Sequence, residues 1–229
     1  GFVVELGVGG NIDKVIASVD FALSSFVENL ELVDNAKVAT GNNLDNEITG
    51  NDKANTAIFT GNYSDYVITQ GEDFDTVFDS TGNDGSDTLI DIERLQFADK
   101  SIALDLDGNA GKAAKLLGVT FGADALENGV LLGIVMSLLD RGIAYKSLMQ
   151  FALQEAGATS NQQVASLLLN NLLEQEPNET TLDVVTGLLD RQIFSQSELA
   201  VYAADLQENL ENIGYSGLVD NGLVFSPFG

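Results

Sequence analysis

The fold is decided by two consecutive nine-residue segments, Gly41-Asn-Asn-Leu-Asp-Asn-Glu-Ile-Thr49 and Gly50-Asn-Asp-Lys-Ala-Asn-Thr-Ala-Ile58. Each segment begins with Gly-Asn, carries Asn at its sixth position and has an apolar residue at its eighth. Glycine and asparagine tolerate the backbone conformations of tight turns. A repeated apolar position on short strands is expected to point into a shared core. The pattern therefore predicts a short parallel β-roll or β-solenoid, in which each segment supplies one turn and one strand.

The same alternation of turns and strands extends over residues 1–108. Short apolar runs such as Val67-Ile68 and Thr76-Val77-Phe78 are separated by turn pairs such as Gly61-Asn62. Runs of this length between Gly and Asn pairs are typical of short strands. We therefore expect residues 1–108 to form a β-roll-like region with closing strands.

From residue 109 onward the periodicity becomes helical, and Leu, Ala, Gln and Glu dominate. Two capping-box spacings mark helix starts, Ser160 with Gln163 and Ser195 with Glu198. The predicted helices lie near 110–119, 125–140, 144–156, 161–174, 179–190 and 196–211.

The helical half contains an internal repeat. Ser137-Leu-Leu-Asp-Arg-Gly142 recurs fifty positions later as Gly187-Leu-Leu-Asp-Arg-Gln192, and the Asp-Arg pair is interpreted as an exposed ion pair at a helix end. Because one helix pair cannot bury its apolar stripe alone, the two units are expected to share a core. The fold class predicted for the chain is α+β, with a β-roll or β-solenoid region and closing strands over residues 1–108 and an all-α domain over residues 109–229.

Charge limits the partners of this chain. Thirty-five acidic residues face ten basic residues, which gives a formal net charge of −25. Nucleic acid is not an expected partner, because phosphate contacts need clustered Lys and Arg. Membrane insertion is not expected either, because no run of apolar residues is long enough to cross a bilayer. A charge of this size repels itself within a compact fold. High salt would screen the repulsion, and bound cations would neutralise it locally; calcium fits because it prefers oxygen ligands.

The composition also argues against catalysis. The chain has no His and no Cys, which removes the common general base, the usual zinc ligands, the serine and cysteine triads and any disulfide. Paired carboxylates could still hydrolyse glycosides. The acidic residues here lie in Gly/Asn turns, however, and Trp, which could provide a platform for sugar, is absent. We therefore expect no enzymatic activity.

The two nine-residue segments supply the first candidate calcium ligands. These are the Asn residues at their second and sixth positions, Asn42, Asn46, Asn51 and Asn55. Asparagine is neutral and a weaker calcium ligand than aspartate. The alternative is a pair of metal-free turns held by hydrogen bonds of the Asn side chains.

The favoured candidate calcium site lies in the acidic turns around residues 71–87. It combines the side chains of Asp73, Asp75, Asn83, Asp84 and Asp87, and its alternative is a solvated acidic loop.

Asp105, Asp107 and Asn109 alternate like the start of an EF-hand loop. The position that needs a bidentate Glu is Leu116, however. A helix cap formed by Asp107 or Asn109 is therefore favoured over calcium at this third place.

These features resemble RTX (repeats-in-toxin) exoproteins, whose fuller nine-residue form is Gly-Gly-x-Gly-x-Asp-x-apolar-x. This sequence departs from that form at the second and sixth positions of both segments, which are Asn. Residues 14–23 followed by 27–32 are similar to the longer coils beside such repeats. The closing strand module of such proteins is resembled by residues 57–61, 66–69 and, most specifically, 84–99. The helical half resembles a domain of unknown function that is common at the C-termini of type I-secreted and surface-layer-like bacterial proteins.

The resemblance implies a secreted, non-catalytic, calcium-stabilised C-terminal module of a bacterial exoprotein. It implies export by the type I secretion machinery, with the acidic and apolar tail 218–229 as the signal and with folding driven by calcium outside the cell. The alternative is a subunit that self-associates into a surface layer or an extracellular filament. The first hypothesis predicts a monomer that calcium folds, and the second predicts ordered polymers.

Overall fold

The computed structural model describes the backbone of residues 2–5 and 12–228 and the side chains of residues 12–228. The last residue of the predicted export tail, Gly229, lies outside the described residues. The chain divides into two compact units between Leu104 and Asp105. We call them the strand unit and the helical unit.

The strand unit forms two open sheets. Its strands are β1 (Phe2–Glu5), β2 (Lys14–Ala17), β3 (Phe21–Ala22), β4 (Asn29–Leu32), β5 (Val38–Thr40), β6 (Glu47–Thr49), β7 (Thr56–Ile58), β8 (Tyr66–Thr69), β9 (Asp75–Asp79), β10 (Ser86–Ile90), β11 (Arg94–Gln96) and β12 (Ser101–Ala103). The first sheet has the order β1-β2-β4-β6-β10-β9-β8, and the second contains the run β12-β11-β7-β5-β3. A short 3-10 helix, Tyr63–Asp65, precedes β8.

The prediction of an α+β chain with a parallel β-roll or β-solenoid is wrong. Both sheets are mixed: the central strands pair in parallel, whereas β1 with β2, β8 with β9, β9 with β10, and β11 with β12 pair antiparallel. The chain is an α/β fold with two open mixed sheets and, within the described residues, eight α-helices. The physical reason is that residues 59–81 interrupt the nine-residue pattern, and most of them form a hairpin rather than another uniform coil.

The core of the strand unit contains side chains from both sheets. The eighth residues of the two segments, Ile48 and Ala57, are fully buried, and Ile48 lies opposite Leu30 and Leu89 on the neighbouring strands. They belong to one cluster with residues of the second sheet such as Leu95. Burial of each large aliphatic side chain stabilises the fold by about 1.5–3 kcal/mol.

The helical unit contains α1 (Asn109–Phe121), α2 (Gly129–Asp140), α3 (Tyr145–Glu155), α4 (Asn161–Leu173), α5 (Glu179–Asp190), α6 (Gln196–Ala204), α7 (Gln207–Asn212), α8 (Tyr215–Asn221) and the strand β13 (Leu223–Phe225). The capping boxes predicted at Ser160 and Ser195 are confirmed, since each hydroxyl accepts from the amide three residues later. The predicted helix 196–211 is divided, with α6 ending at Ala204 and α7 beginning at Gln207. Among the described residues, no helix combines the length and the apolar character needed to cross a bilayer.

The internal repeat has a structural counterpart in two helical hairpins. Asn109, at the start of α1, donates to the Asp140 carboxylate at the end of α2 over 2.8 Å. Asn161, at the start of α4, donates to Asp190 at the end of α5 over the same distance. The Asp of each repeated Leu-Leu-Asp-Arg motif therefore closes one hairpin, and α1 packs against α4 between the two.

Candidate functional site

Asn42 and Asn46 close the turn of the first nine-residue segment, which we call the first turn (residues 41–46). The Asn46 side-chain oxygen accepts from the Asn42 amide at 2.7 Å. Both side-chain amides donate to the Val27 carbonyl, at 2.7 Å from Asn42 and 3.2 Å from Asn46. The two Asn residues thus tie this turn to the preceding loop.

The second turn (residues 50–55) repeats this arrangement. The Asn55 side-chain oxygen accepts from the Asn51 amide at 2.6 Å, and both side chains donate to the Ala36 carbonyl. The Asn51 side-chain oxygen accepts from the Lys53 amide at 2.9 Å. Amide donors thus bond to both side-chain oxygens of this turn, as they do to those of Asn42 and Asn46 in the first turn, which is the geometry that the metal-free alternative predicts.

Asp79 organises the acidic turn that follows β9, although sequence reasoning did not single it out. One carboxylate oxygen accepts from the amide and the hydroxyl of Thr81, and the other accepts from the amides of Asn83 and Asp84. Burial by itself would raise the pKa of Asp79, but these hydrogen bonds outweigh it and lower the pKa to about 2. An Asp whose side chain bonds to amides a few residues later is a common turn device.

Asp84 is also engaged within the protein. Its carboxylate accepts from the Thr60 amide at 2.7 Å and from the Tyr66 hydroxyl at 2.5 Å. Burial and the bond to Asp84 together raise the pKa of Tyr66 to about 12. Asp84 therefore joins the acidic turn to the aromatic end of the core, where the rings of Phe59 and Tyr66 lie 5.3 Å apart.

Asp87 differs from these residues because one of its two carboxylate oxygens forms no hydrogen bond within the described residues. It is only 2% exposed, and one oxygen accepts from the Asn46 amide at 2.9 Å. Within residues 12–228 the other oxygen has neither a hydrogen bond nor an ion pair. Burial raises the pKa of Asp87 to about 7, and the nearby charges of Asp84 and Asp45 raise it further against the opposing effect of the Asn46 bond.

A third nine-residue segment, which sequence reasoning missed, places Asp87 beside the first turn. Gly82-Asn-Asp-Gly-Ser-Asp-Thr-Leu-Ile90 has Gly first, Asn second, Asp87 sixth and an apolar residue eighth. Its strand pairs in parallel with that of the first segment, with Leu89 opposite Ile48. The Gly-Asn doublet and the apolar eighth position could have revealed it, but residues 59–81 separate it from the other two segments.

The first turn and the third turn (residues 82–87) approach each other through glycines. A Cβ atom on Gly41 would lie 2.6 Å from the Asn46 side-chain oxygen and 3.4 Å from the free oxygen of Asp87. A Cβ atom on Gly85, whose φ is +77°, would lie 2.3 Å from the Leu44 carbonyl oxygen. We call the side-chain oxygen of Asn46, which has a second lone pair, and the free oxygen of Asp87, both next to Gly41, the oxygen cradle.

The oxygen cradle has donor atoms of the kind that calcium prefers, namely a carboxylate oxygen and a side-chain amide oxygen. No group of three or more acidic side chains within the described residues is arranged to hold a metal ion. A calcium ion at this place would therefore depend on Asp87 together with neutral oxygens and solvent.

The remaining predicted ligands of the favoured set are not joined to Asp87 by hydrogen bonds within the described residues. Asp73 is exposed, and Asp75 accepts from the Gly71 amide at 3.1 Å. Burial raises the pKa of Asp75. The Asn83 side chain donates to the Thr81 hydroxyl. The structure thus brings Asp87 together with Asn46, which was assigned to a different candidate site.

The third predicted group forms part of a helix start. The Asp105 carboxylate accepts from the amides of Asn109 and Ala110 in the first turn of α1, at 2.9 Å and 3.2 Å. Asp107 is exposed, and the Asn109 side chain bonds to Asp140. The favoured alternative of a helix cap fits this geometry, but Asp105 provides the oxygen rather than Asp107 or Asn109.

The helical unit has an open groove of about 780 Å³ between α3 and α6. Its lining includes Phe194, Tyr202 and Tyr145, whose hydroxyl is buried without a partner among the described residues. At the rim, Lys146 pairs with Glu198 at 2.8 Å, and this bond is the main cause that lowers the pKa of Glu198 to about 2. Sequence reasoning missed the groove because its lining comes from separate segments.

Comparisons with known proteins do not assign this chain to a family. No protein-family model matches the chain, and searches of curated proteins and of solved structures find no match either. The resemblance to RTX exoproteins therefore stays a prediction, and the geometry of the stacked turns carries the functional argument.

Proposed function

We propose that this chain is a non-catalytic, calcium-stabilised structural module of a secreted bacterial protein. The observation that carries the proposal is the buried carboxylate of Asp87, which faces the first turn with one oxygen unpartnered among the described residues. A buried carboxylate is costly unless its charge is neutralised. Protonation neutralises Asp87 at low pH, and a cation bound to the oxygen cradle would do so at the pH of most extracellular media.

Calcium would stabilise the strand unit by binding only its folded state. The oxygen cradle exists only when the first and third turns are stacked, because the two turns are far apart in sequence. A ligand that binds only the folded state, at a concentration one hundred times its Kd, adds about 2.7 kcal/mol of stability. The same ion reduces the self-repulsion of a chain whose net charge is −25.

This dependence on calcium would suit export. Where calcium is scarce, the charges of the acidic turns are not neutralised and the unfolded strand unit is favoured. The type I secretion machinery would need the unfolded form. Outside the cell, calcium would shift the equilibrium toward the folded unit. The absence of Cys is consistent with this route, because no disulfide can fix the fold before export.

Thermal unfolding in EDTA and in calcium tests the proposal. We expect calcium to raise the Tm of the wild-type chain and to leave the Tm of Asp87→Asn nearly unchanged, since the substitution removes the charge that the ion neutralises. The matched control is Asp73→Asn, an exposed position of the same predicted set that has no hydrogen bond to the oxygen cradle within the described residues. That variant should keep the full response to calcium.

The design separates misfolding from loss of the site. Asn at position 87 resembles the protonated carboxyl, so the variant should fold and should be at least as stable as the wild type in EDTA. A wild-type Tm that does not respond to calcium would remove the proposal. An equal calcium response in Asp87→Asn would remove the assignment to Asp87.

A further inference from the structure

The outer face of the hairpin β8–β9 carries an exposed apolar pair. Val67 on β8 and Phe78 on β9 are direct partners in the antiparallel register and are 55% and 51% exposed. Phe74, between the two strands, is also 51% exposed. Cross-strand partners on one face contact each other and form a continuous surface.

The face around this pair is uncharged. Side chains on a strand alternate between the two faces. Tyr66, Val77 and Leu89 point into the core. The residues on the opposite, outer face of β8, β9 and β10 are Val67, Thr69, Thr76, Phe78, Ser86, Thr88 and Ile90. A neutral strip of this kind stands out in a chain whose net charge is −25.

β8 is also an open edge of the first sheet. Within the described residues it pairs only with β9. In an antiparallel pair, hydrogen-bonded and non-hydrogen-bonded residue pairs alternate. The Ser80 amide donates to the Asp65 carbonyl, so the pair of Ile68 and Val77, three positions along, is non-hydrogen-bonded. The amide and carbonyl of Ile68 therefore point away from β9. The strand contains none of the Lys and Pro residues that commonly protect edges from pairing.

Acidic side chains lie beside both ends of this edge. Glu72 and Asp73 are exposed in the loop that follows β8, and Asp65 immediately precedes the strand. A second copy of the chain would bring the same acids and a net charge of −25 toward them. Charge complementarity therefore favours a partner segment with basic residues at its ends.

We propose that the β8 edge binds an extended segment of a partner protein, with β-branched apolar residues at its centre and Lys or Arg at its ends. The segment adds a strand to the first sheet by main-chain hydrogen bonds to Ile68. On the outer face, its apolar side chains lie beside Val67, whose other neighbour across the strands is Phe78. Its basic ends face Glu72, Asp73 and Asp65. This site is independent of the proposed calcium function.

Fluorescence anisotropy with a labelled synthetic peptide tests the inference. The probe has alternating Val and Thr between two Lys pairs, and we expect saturable binding to the full chain. Replacing both Val67 and Phe78 with Ser should weaken binding by more than about tenfold, since burial of even one such side chain contributes about as much as one decade of Kd. Glu72→Gln with Asp73→Asn should weaken binding less and should reduce its salt dependence.

Two controls separate strand addition from general attraction to an acidic protein. Val184→Ser alters an exposed apolar residue of α5 in the helical unit and should leave binding unchanged. A peptide with the same sequence but N-methylated at alternate amides cannot extend the sheet and should not bind. Since Val67 and Phe78 lie on the outer face and are about half exposed, their Ser variants should retain the wild-type circular dichroism spectrum.

Three outcomes would overturn the inference. The first is the absence of saturable binding, and the second is equal binding of the N-methylated peptide. The third is concentration-dependent self-association that the Val67 and Phe78 substitutions abolish, because it would assign the edge to a second copy of the chain.

Discussion

Asp87 couples the stability of the strand unit to pH. Its pKa is about 7 in the folded protein, against 3.8 for an ordinary Asp. Between these values the folded state keeps a proton that the unfolded state has lost, so stability falls as pH rises. Over the whole interval the loss is roughly 4 kcal/mol. In EDTA, we expect the urea concentration at the midpoint of unfolding of the wild type to decrease as the pH is raised from about 5 to about 8.

Asp87→Asn isolates this residue from the other acids. Asn does not titrate, so the variant should lose less stability than the wild type over the same pH interval. Asp79 contributes with the opposite sign, and its contribution is lost only as pH falls from about 4 to about 2. It therefore does not interfere. Parallel pH profiles for wild type and Asp87→Asn would contradict the assignment.

Asp79 should be among the most sensitive polar residues of the strand unit. Asp79→Ala removes the acceptor for the amides of Thr81, Asn83 and Asp84 and for the Thr81 hydroxyl. Thr81 and Asn83 are exposed, so water can replace part of what is lost, but the loss of four hydrogen bonds to a charged group should still reduce the free energy of unfolding by about 3 kcal/mol. Urea denaturation measures this loss, and Asp52→Ala, at an exposed position, provides the control. Similar losses in both variants would contradict this role.

The sequence pattern predicted which residues close turns, but it did not predict the hydrogen-bond partners of each residue. Asn46 and Asn55 could be predicted from their fixed place in two segments. Asp79 could not, because it ends a strand and bonds to residues that carry no special spacing. Asp87 was grouped with Asp73 by proximity in sequence, whereas its partner is Asn46, which lies 41 positions away.

At the scale of elements, the two hairpin closures of the helical unit should contribute alike. Asn109 donates to Asp140 and Asn161 donates to Asp190 over the same distance, 2.8 Å, and both bonds are exposed to solvent. We expect a coupling free energy of about 0.5–1 kcal/mol in each pair. Double-mutant cycles to Ala, measured by urea denaturation, give both values. A cross pair, Asn109 with Asp190, is the control and should show no coupling.

Strands and helices could be predicted where their signals are local. Capping boxes at Ser160 and Ser195 mark helix starts within four residues of sequence. The apolar eighth positions Ile48 and Ala57 identify buried strand positions. Sheet order could not be predicted in the same way, because β6 pairs with β10 across an interrupting hairpin and the order depends on contacts distant in sequence.

At the scale of the whole molecule, the net charge of −25 makes stability depend on the ions in solution. Salt screens repulsion between exposed carboxylates, with a Debye length of about 10 Å at 0.1 M ionic strength. Such screening reaches a buried group such as Asp87 much less than the exposed acids. A general charge effect should therefore be shared by sodium and magnesium salts, whereas a site built on the oxygen cradle should distinguish calcium.

Calcium titration by isothermal calorimetry tests the central claim most directly. At physiological ionic strength we expect saturable binding of about one ion at the oxygen cradle of the wild type. Asp87→Asn should lose this binding, and Asp73→Asn should retain it. An absence of saturable calcium binding to the folded wild-type chain, or an unchanged isotherm in Asp87→Asn, would contradict the account.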